Sequence, residues 1–149
     1  MIVIRPATEA DQKRIVAIIR EAHINPMDLK WQNFVLAVEA ATNEIVGTAQ
    51  IKQHRDGSRE LASIATLPAY QRQGIASRLI QHWLAQTTGP LYLTCVREMG
   101  TFYERFGFRS LTDPEMTPYF RRLKKLVKVF EVLSGEAQLL VMKLERNGA

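Results

Sequence analysis

The stretch Leu61 to Ala76, LASIATLPAYQRQGIA, constrains this chain more than any other. An apolar run of strand character ends at Pro68, and a polar turn opens directly into an amphipathic segment that continues to about Gln86. A strand, a turn with one glycine and a helix, in that order, build an anion site. The first turn of a helix leaves about four backbone N–H groups without intrahelical partners, and the macrodipole adds roughly half a positive charge there. Phosphate suits such a place. Gly74 lets a ligand approach the backbone with no Cβ in the way, Ala76 keeps the next position small, and Arg72 contributes a charge that does not titrate away.

The rest of the chain supplies a frame for that stretch. MIVIR reads as a short strand ended by Pro6, and Thr8 with Asp11 three residues on resembles a capping box before a helix striped by Ile15, Ile18, Ile19 and Ala22. Asn25-Pro26 breaks the pattern, and Met27 to Trp31 is short enough for a loop or one helical turn. Phe34 to Glu39 and Ile45 to Gln53 read as a hairpin, with Gly47 marking a bulge or a close backbone approach. His54 to Ser58, with Asp56-Gly57 at its centre, turns into the strand at Leu61. The helix from Ile75 puts Ile75, Leu79, Ile80, Trp83 and Leu84 on one face. A strand, Leu91 to Val96, follows it, and a helix between two strands of one sheet makes them parallel. Met99 to Arg105 reads as a short helix capped by Gly107, leading into a further strand. Then Thr117 as N-cap and Pro118 at the first position open an amphipathic helix to about Leu133. Gln138 to Leu144 closes the sheet.

Two hallmarks identify a resemblance. QRQGIA matches the Q/R-x-x-G-x-G/A signature of the GNAT acyltransferases, with Ala76 in place of the second glycine, and FYERFGF about thirty residues later matches the family's second motif. The likeness covers residues 1–111 and the final strand, with 112–137 as a helical insertion. It implies an α/β (α+β) fold: a mixed, twisted sheet of six to seven strands flanked by helices, with an extra basic amphipathic helix before the last strand. The whole chain, 1–149, is expected to be one domain, able to bury about 68–70% of its unfolded surface.

The resemblance also implies a chemistry, N-acetyl transfer from acetyl-CoA to a primary amine by direct attack in a ternary complex. Gln71, Arg72, Gln73, Gly74, Ile75 and Ala76 would hold the cofactor's pyrophosphate, and the backbone of Ile64, Ala65 and Thr66 would serve the thioester and the developing oxyanion. Tyr103, the tyrosine of the second motif, would return a proton to the thiolate. Packing as a core aromatic beside Phe102 and Phe106 is its other reading. Glu60 is the candidate base, with His54 the other group suited to the task. Many relatives carry an asparagine seven residues before the tyrosine; Val96 stands there, and Arg97 or Thr94 would have to replace it. His23, Asn25, Asp28 and Trp31 fall where the family contacts its acceptor.

Composition narrows the rest. A single cysteine, Cys95, suits a reducing cytoplasm; no leader sequence and no run of ~20 apolar residues is present in the sequence, so a soluble protein without a membrane partner is expected, as monomer or homodimer. His23, His54 and His82 lack metal-ligand spacing, and neither a P-loop nor a serine nucleophile motif occurs. The net charge of +5 and pI near 9.6 favour anionic ligands. A second reading therefore stands beside the enzyme: a binding module, regulated by acyl-CoA, whose helix 118–133 meets nucleic acid or an anionic partner through Arg121, Arg122, Lys124, Lys125 and Lys128. In that helix Leu123, Leu126, Val127 and Phe130 share the apolar face. The acceptor amine itself is not chosen by residues 20–33: a small amine, an amino acid, a peptide N-terminus, a protein lysine or an aminoacyl-tRNA all remain.

Overall fold

The computed structural model describes residues 1–134 and 138–147, those at 129–134 by backbone alone. Seven strands form one sheet: β1 Ile2–Pro6, β2 Phe34–Glu39, β3 Glu44–Gln53, β4 Arg59–Thr66, β5 Leu91–Val96, β6 Arg109–Ser110 and β7 Leu139–Leu144, in the order β1-β2-β3-β4-β5-β7-β6. The helices are α1 Gln12–Glu21, α2 Ile75–Gln86, α3 Gly100–Glu104 and α4 Pro118–Ser134. Two compact units share strand β4: Met1–Lys52 with Leu61–Thr87, and Gln53–Glu60 with Thr88–Ala149.

In the first unit the strands β1, β2 and β3 pair antiparallel, and β2 is buried along nearly its whole length. A strand covered on both faces loses the usual alternation of apolar and polar residues, which is why it reads FVLAV. Phe34, Leu36 and Val38 pack with Ile15, Ile18 and Ile19 of α1, while Val35 and Ala37 pack with Ile75 and Leu79 of α2. Of the stripe expected for α1, Ile15, Ile18 and Ile19 are thus the face it buries, whereas Ala22 is its exposed C-cap. Its start differs by one turn: Thr8 and Asp11 do form a capping box, but it heads a short 3₁₀ helix, Glu9–Asp11, before α1 begins. Arg5 clamps the Asp11 carboxylate with two hydrogen bonds, 2.8 and 3.2 Å, and holds its pKa below the usual range.

In the second unit β4 begins parallel to β5, with Glu60 opposite Tyr92, and β7 runs antiparallel to both β5 and β6. The crossover through α2 is the expected one. Tyr92, Leu111, Met116, Phe120 and Val141 form the core beneath α4, with Tyr119 and Leu123 against it. Two expectations for α4 are corrected. Leu126 is 72% exposed, so it is not on the docked face, and the side chain of Phe130 lies outside the described residues. Pro118 does open the helix, but the N–H of Tyr119 donates to Asp56 Oδ2 at 3.0 Å, so the cap comes from the β3–β4 turn rather than from Thr117 alone. The short helix expected over 99–105 is a 3₁₀ turn, Arg97–Met99, followed by α3, and Gly107 ends it at φ +97°. Among the described residues no helix is long and apolar enough to cross a membrane.

Gly47 is the close approach its position suggested. A Cβ there would stand 2.9 Å from Ile75 Cγ2, 3.1 Å from Leu79 Cδ1 and 3.3 Å from the Ala65 carbonyl oxygen. Gly47→Ala should therefore destabilise the first unit by about 1–3 kcal/mol, the usual cost of overpacking, as measured by denaturant unfolding. A Gly47→Ala chain of unchanged stability would mean that α2 does not sit on β3 at this distance.

Candidate functional site

The end of β4 and the start of α2 are joined by a short 3₁₀ helix, Pro68–Tyr70, and an exposed turn, Gln71–Gly74. Gln71 Nε2 donates to the Thr66 carbonyl at 3.2 Å, tying the turn to the strand. Arg72 and Gly74 are both left-handed, φ +63° and +79°. Glycine takes that conformation without cost, whereas at Arg72 it stores of order 1–3 kcal/mol. Alternation of this kind is how backbone N–H groups are turned toward a common anion. Gly74 is the N-cap of α2, offers no side-chain cap, and is followed by no acid in the first turn. Indeed no Asp or Glu occurs from Leu67 to Gln86. The opening N–H groups of α2 thus have no side-chain cap, and a Cβ built on Gly74 meets nothing within 4 Å. Open space before uncapped N–H groups, with an arginine beside it and no competing carboxylate, suits phosphate.

Upstream, Ile64, Ala65 and Thr66 form the last part of β4, with Ala65 buried. Ser63 just before them is left-handed at φ +55°, and two buried side chains of β3 hold it: Thr48 Oγ1 donates to its carbonyl at 2.8 Å and Gln50 Nε2 to its Oγ at 2.7 Å. The sequence pointed to neither residue. Its one signal was polar residues at alternate positions, Thr48, Gln50 and Lys52, in a strand where all three prove buried. Gln50 also donates to the Asp28 carbonyl at 3.3 Å, and Gln12 accepts from the Trp31 N–H at 2.7 Å, so the loop holding His23, Asn25, Asp28 and Trp31 is pinned to β3 and α1.

In the second unit Glu60 and His54, the alternatives for the base, are one group. His54 Nε2 lies 2.8 Å from Glu60 Oε1, and both side chains are 7% exposed. Tyr119 of α4 stacks on the imidazole, ring centroids 3.5 Å apart and 15° from parallel, and Phe120 meets it edge-on at 5.6 Å. Asp56 beside them takes the N–H and hydroxyl of Ser58 at 2.9 and 2.6 Å. Burial opposes its ionisation, but these bonds and the one from Tyr119 outweigh that and hold its pKa well below the usual carboxylate range.

Tyr103 of α3 is buried between Phe102 and Phe108, edge to face with each. Burial, and then the neighbouring Cys95, push its phenol up to about 12, so it stays protonated throughout the physiological range. Burial likewise raises the Cys95 thiol to about 11. Val96 is 46% exposed, and of its two stand-ins Arg97 is bound to Gln138 through a guanidinium contact at 3.3 Å and a backbone bond at 3.0 Å, while Thr94 is half-buried.

Comparison with known proteins agrees with this layout. The family model described as acetyltransferase (GNAT) domain matches residues 30–110. No curated protein sequence matches the chain. Among solved structures, N-acetylglutamate synthase from Neisseria gonorrhoeae, complexed with coenzyme A and N-acetyl-glutamate, superposes with a TM-score of 0.71 at 21% identity over 98% of this chain. The match spans only 36% of the synthase. A Mycobacterium tuberculosis protein solved with CoA gives 0.74 at 16% identity, covering 97% of this chain and 99% of the other. The Escherichia coli ribosomal-protein-S18-alanine N-acetyltransferase gives 0.65 at 18%, covering 100% and 96%. These likenesses establish the mixed α/β fold.

The burial of Cys95 generates a direct prediction. With its thiol near 11, about a thousandth would be thiolate at pH 8, against about a quarter for an ordinary cysteine. Alkylation of the native chain by iodoacetamide should run at least a hundredfold slower than in denaturant, and modification at the rate of a free thiol would mark Cys95 as an activated nucleophile.

Proposed function

Because the chain belongs to the GNAT acetyltransferase family, we propose that it is an N-acetyltransferase that moves an acetyl group from acetyl-CoA to a primary amine by direct attack. The observation that carries this reading is the opening of α2: uncapped N–H groups, left-handed Arg72 and Gly74, and no acid from Leu67 to Gln86. Acetyl-CoA, when bound, supplies an activated thioester carbonyl and a set of phosphates. The N–H groups of Gln71–Ala76 and the Arg72 guanidinium hold the pyrophosphate, and the backbone at Ile64–Thr66 orients the carbonyl and donates to its oxygen. Glu60, backed by His54, takes the proton of the attacking amine, and the Tyr103 hydroxyl gives one to the departing sulfur. Cys95, with a raised pKa, takes no part as an acyl carrier. The acceptor is a primary amine, small or on a polypeptide: the gonococcal neighbour was solved with N-acetyl-glutamate and the Escherichia coli one acts on a ribosomal-protein alanine.

A second reading keeps one observation of its own. In the second unit a cavity of about 450 Å³ is lined by Arg121, Lys124, Lys125 and Lys128, with Asp113 its one carboxylate among the described residues. Like charges at i, i+4 destabilise a helix by about 0.2–0.5 kcal/mol per pair, a cost that an anionic partner would relieve. The basic helix would then meet nucleic acid, with acyl-CoA as a regulator.

Calorimetry separates binding from chemistry. The native chain should bind acetyl-CoA, and Gly74→Asp should abolish binding by placing a carboxylate where phosphate must lie; the left-handed φ of +79° there costs aspartate about 1–3 kcal/mol, so circular dichroism checks that α2 stays folded. No heat at millimolar acetyl-CoA with the native chain overturns the reading. Tyr103→Phe should lower kcat by about 10²–10⁴ with unchanged cofactor affinity, and an unchanged kcat would return Tyr103 to packing alone. For the second reading, binding to duplex DNA should weaken with a log–log salt slope of about −0.9 per neutralised phosphate and be flattened by Lys124→Glu with Lys125→Glu; no gel shift at low salt removes it.

A further inference from the structure

The helix α4 lies between β6 and β7, and its first turn packs on His54, the partner of the proposed base Glu60. An imidazole hydrogen-bonded at one nitrogen is not fully fixed, since its ring torsion is broad and the plane can swing about the bonded atom. In this chain the plane is set from two sides. Tyr119 covers one face of His54 at 3.5 Å, and Phe120 stands at 88° to it, closing the direction in which the ring would tilt. Phe120 is itself fixed by stacking on Tyr92 at 5.1 Å, and Tyr92 is the residue paired with Glu60 across the parallel strands.

The turn that carries His54 also grips the helix. Asp56 receives the backbone N–H of Tyr119, the second residue of α4, and is held in turn by the N–H and hydroxyl of Ser58. His54, Asp56, Ser58 and Glu60 thus occupy alternate positions of one short segment. The same carboxylate that closes this turn also seats the ring that covers the imidazole. Among the described residues, the titratable or charged groups beside the cluster include Tyr119 of α4, Asp56 and Arg59 of the turn and strand, and Tyr92 of β5, over whose ring Lys143 Nζ of β7 stands at 5.4 Å.

We propose that Tyr119 and Asp56 are positioning residues of the transferase: Asp56 seats the first turn of α4, and Tyr119 then holds the His54 imidazole in the plane that keeps Nε2 on Glu60. The proposal rests on the reading of Glu60 as the base. Its consequence is that activity depends on an element outside the acetyl-CoA turn, and that a displacement of α4 would release the base while leaving cofactor binding intact.

The test uses the full chain, acetyl-CoA, and a panel of primary amines followed by release of the CoA thiol, with Glu60→Gln as reference. Tyr119→Ala and Asp56→Ala should each lower kcat about ten- to hundredfold, the effect of misplacing a reacting group by about 1 Å, with the calorimetric affinity for acetyl-CoA unchanged. Tyr119→Phe, which keeps the ring, and Asp56→Asn, which keeps an acceptor, should restore most of it. The pH profile of kcat/KM should change shape in the alanine variants, as a role in stability alone would not require. Because the chain has only three histidines, the His54 ring signals can be followed by NMR without any acceptor. They should show one fixed tautomer bonded to Glu60 in the native chain and lose it in both alanine variants. If Glu60→Gln abolishes turnover while folded Tyr119→Ala and Asp56→Ala retain native kcat and the native His54 signals, the positioning role is wrong and the base reading survives. If Glu60→Gln turns over normally, the base reading fails, and the NMR result alone then decides whether α4 orients His54.

Discussion

The start of α2 is an electrostatic site that the fold keeps clear. Helix N-termini are ordinarily closed by a serine, threonine or aspartate, and here the position is Gly74 with no acid in the following turn. Glycine in place of such a residue forgoes roughly a few tenths of a kcal/mol of capping, which other contacts have to supply. The helix is held by packing. Ile75 and Leu79 sit directly over Gly47 of β3, and Trp83 Nε1 donates to the Ala49 carbonyl at 3.2 Å near the other end of the helix. A glycine in the strand thus allows an uncapped helix to dock closely enough to stay folded.

A different balance governs the second unit. Burying an ionisable pair such as His54 and Glu60 rarely stabilises a fold relative to apolar residues of the same volume, because desolvation offsets the attraction. Aromatic rings from α4 enclose this pair instead of excluding it, and a hydrogen-bonded Asp56 secures them. Such an arrangement gives up stability for a fixed orientation of the two groups. Tyr103 is likewise enclosed by rings, edge to face with Phe102 and Phe108, and burial with the neighbouring Cys95 raises its phenol to about 12.

Local chemistry made much of this legible. The strand, turn and helix at 61–86, the capping box at Thr8 and Asp11, the close approach at Gly47 and the parallel crossover all follow from residues near one another in the chain, and each is present. What the sequence hid depends on partners distant along it. Thr117 is the natural N-cap for α4, but Asp56, some sixty residues earlier, takes the Tyr119 N–H. Leu126 belongs to the apolar stripe of α4 by spacing yet is exposed, and among the described side chains of α4 it is Tyr119, Phe120 and Leu123 that meet the core. His54 and Glu60 read as competing bases because the turn at Asp56-Gly57, though legible, does not by itself say that their side chains meet. The contacts of Gln50 and Ser63 depend on a left-handed serine inside a strand, a conformation no residue preference announces.

Amide chemical-shift mapping of the full chain during titration with coenzyme A tests the central claim most directly, because it reports where the ligand sits without needing an acceptor. The account predicts saturable shifts largest at the amides of residues 72–78, where the uncapped N–H groups of α2 begin. Shifts confined to residues 121–128, or none at saturating ligand, would contradict it.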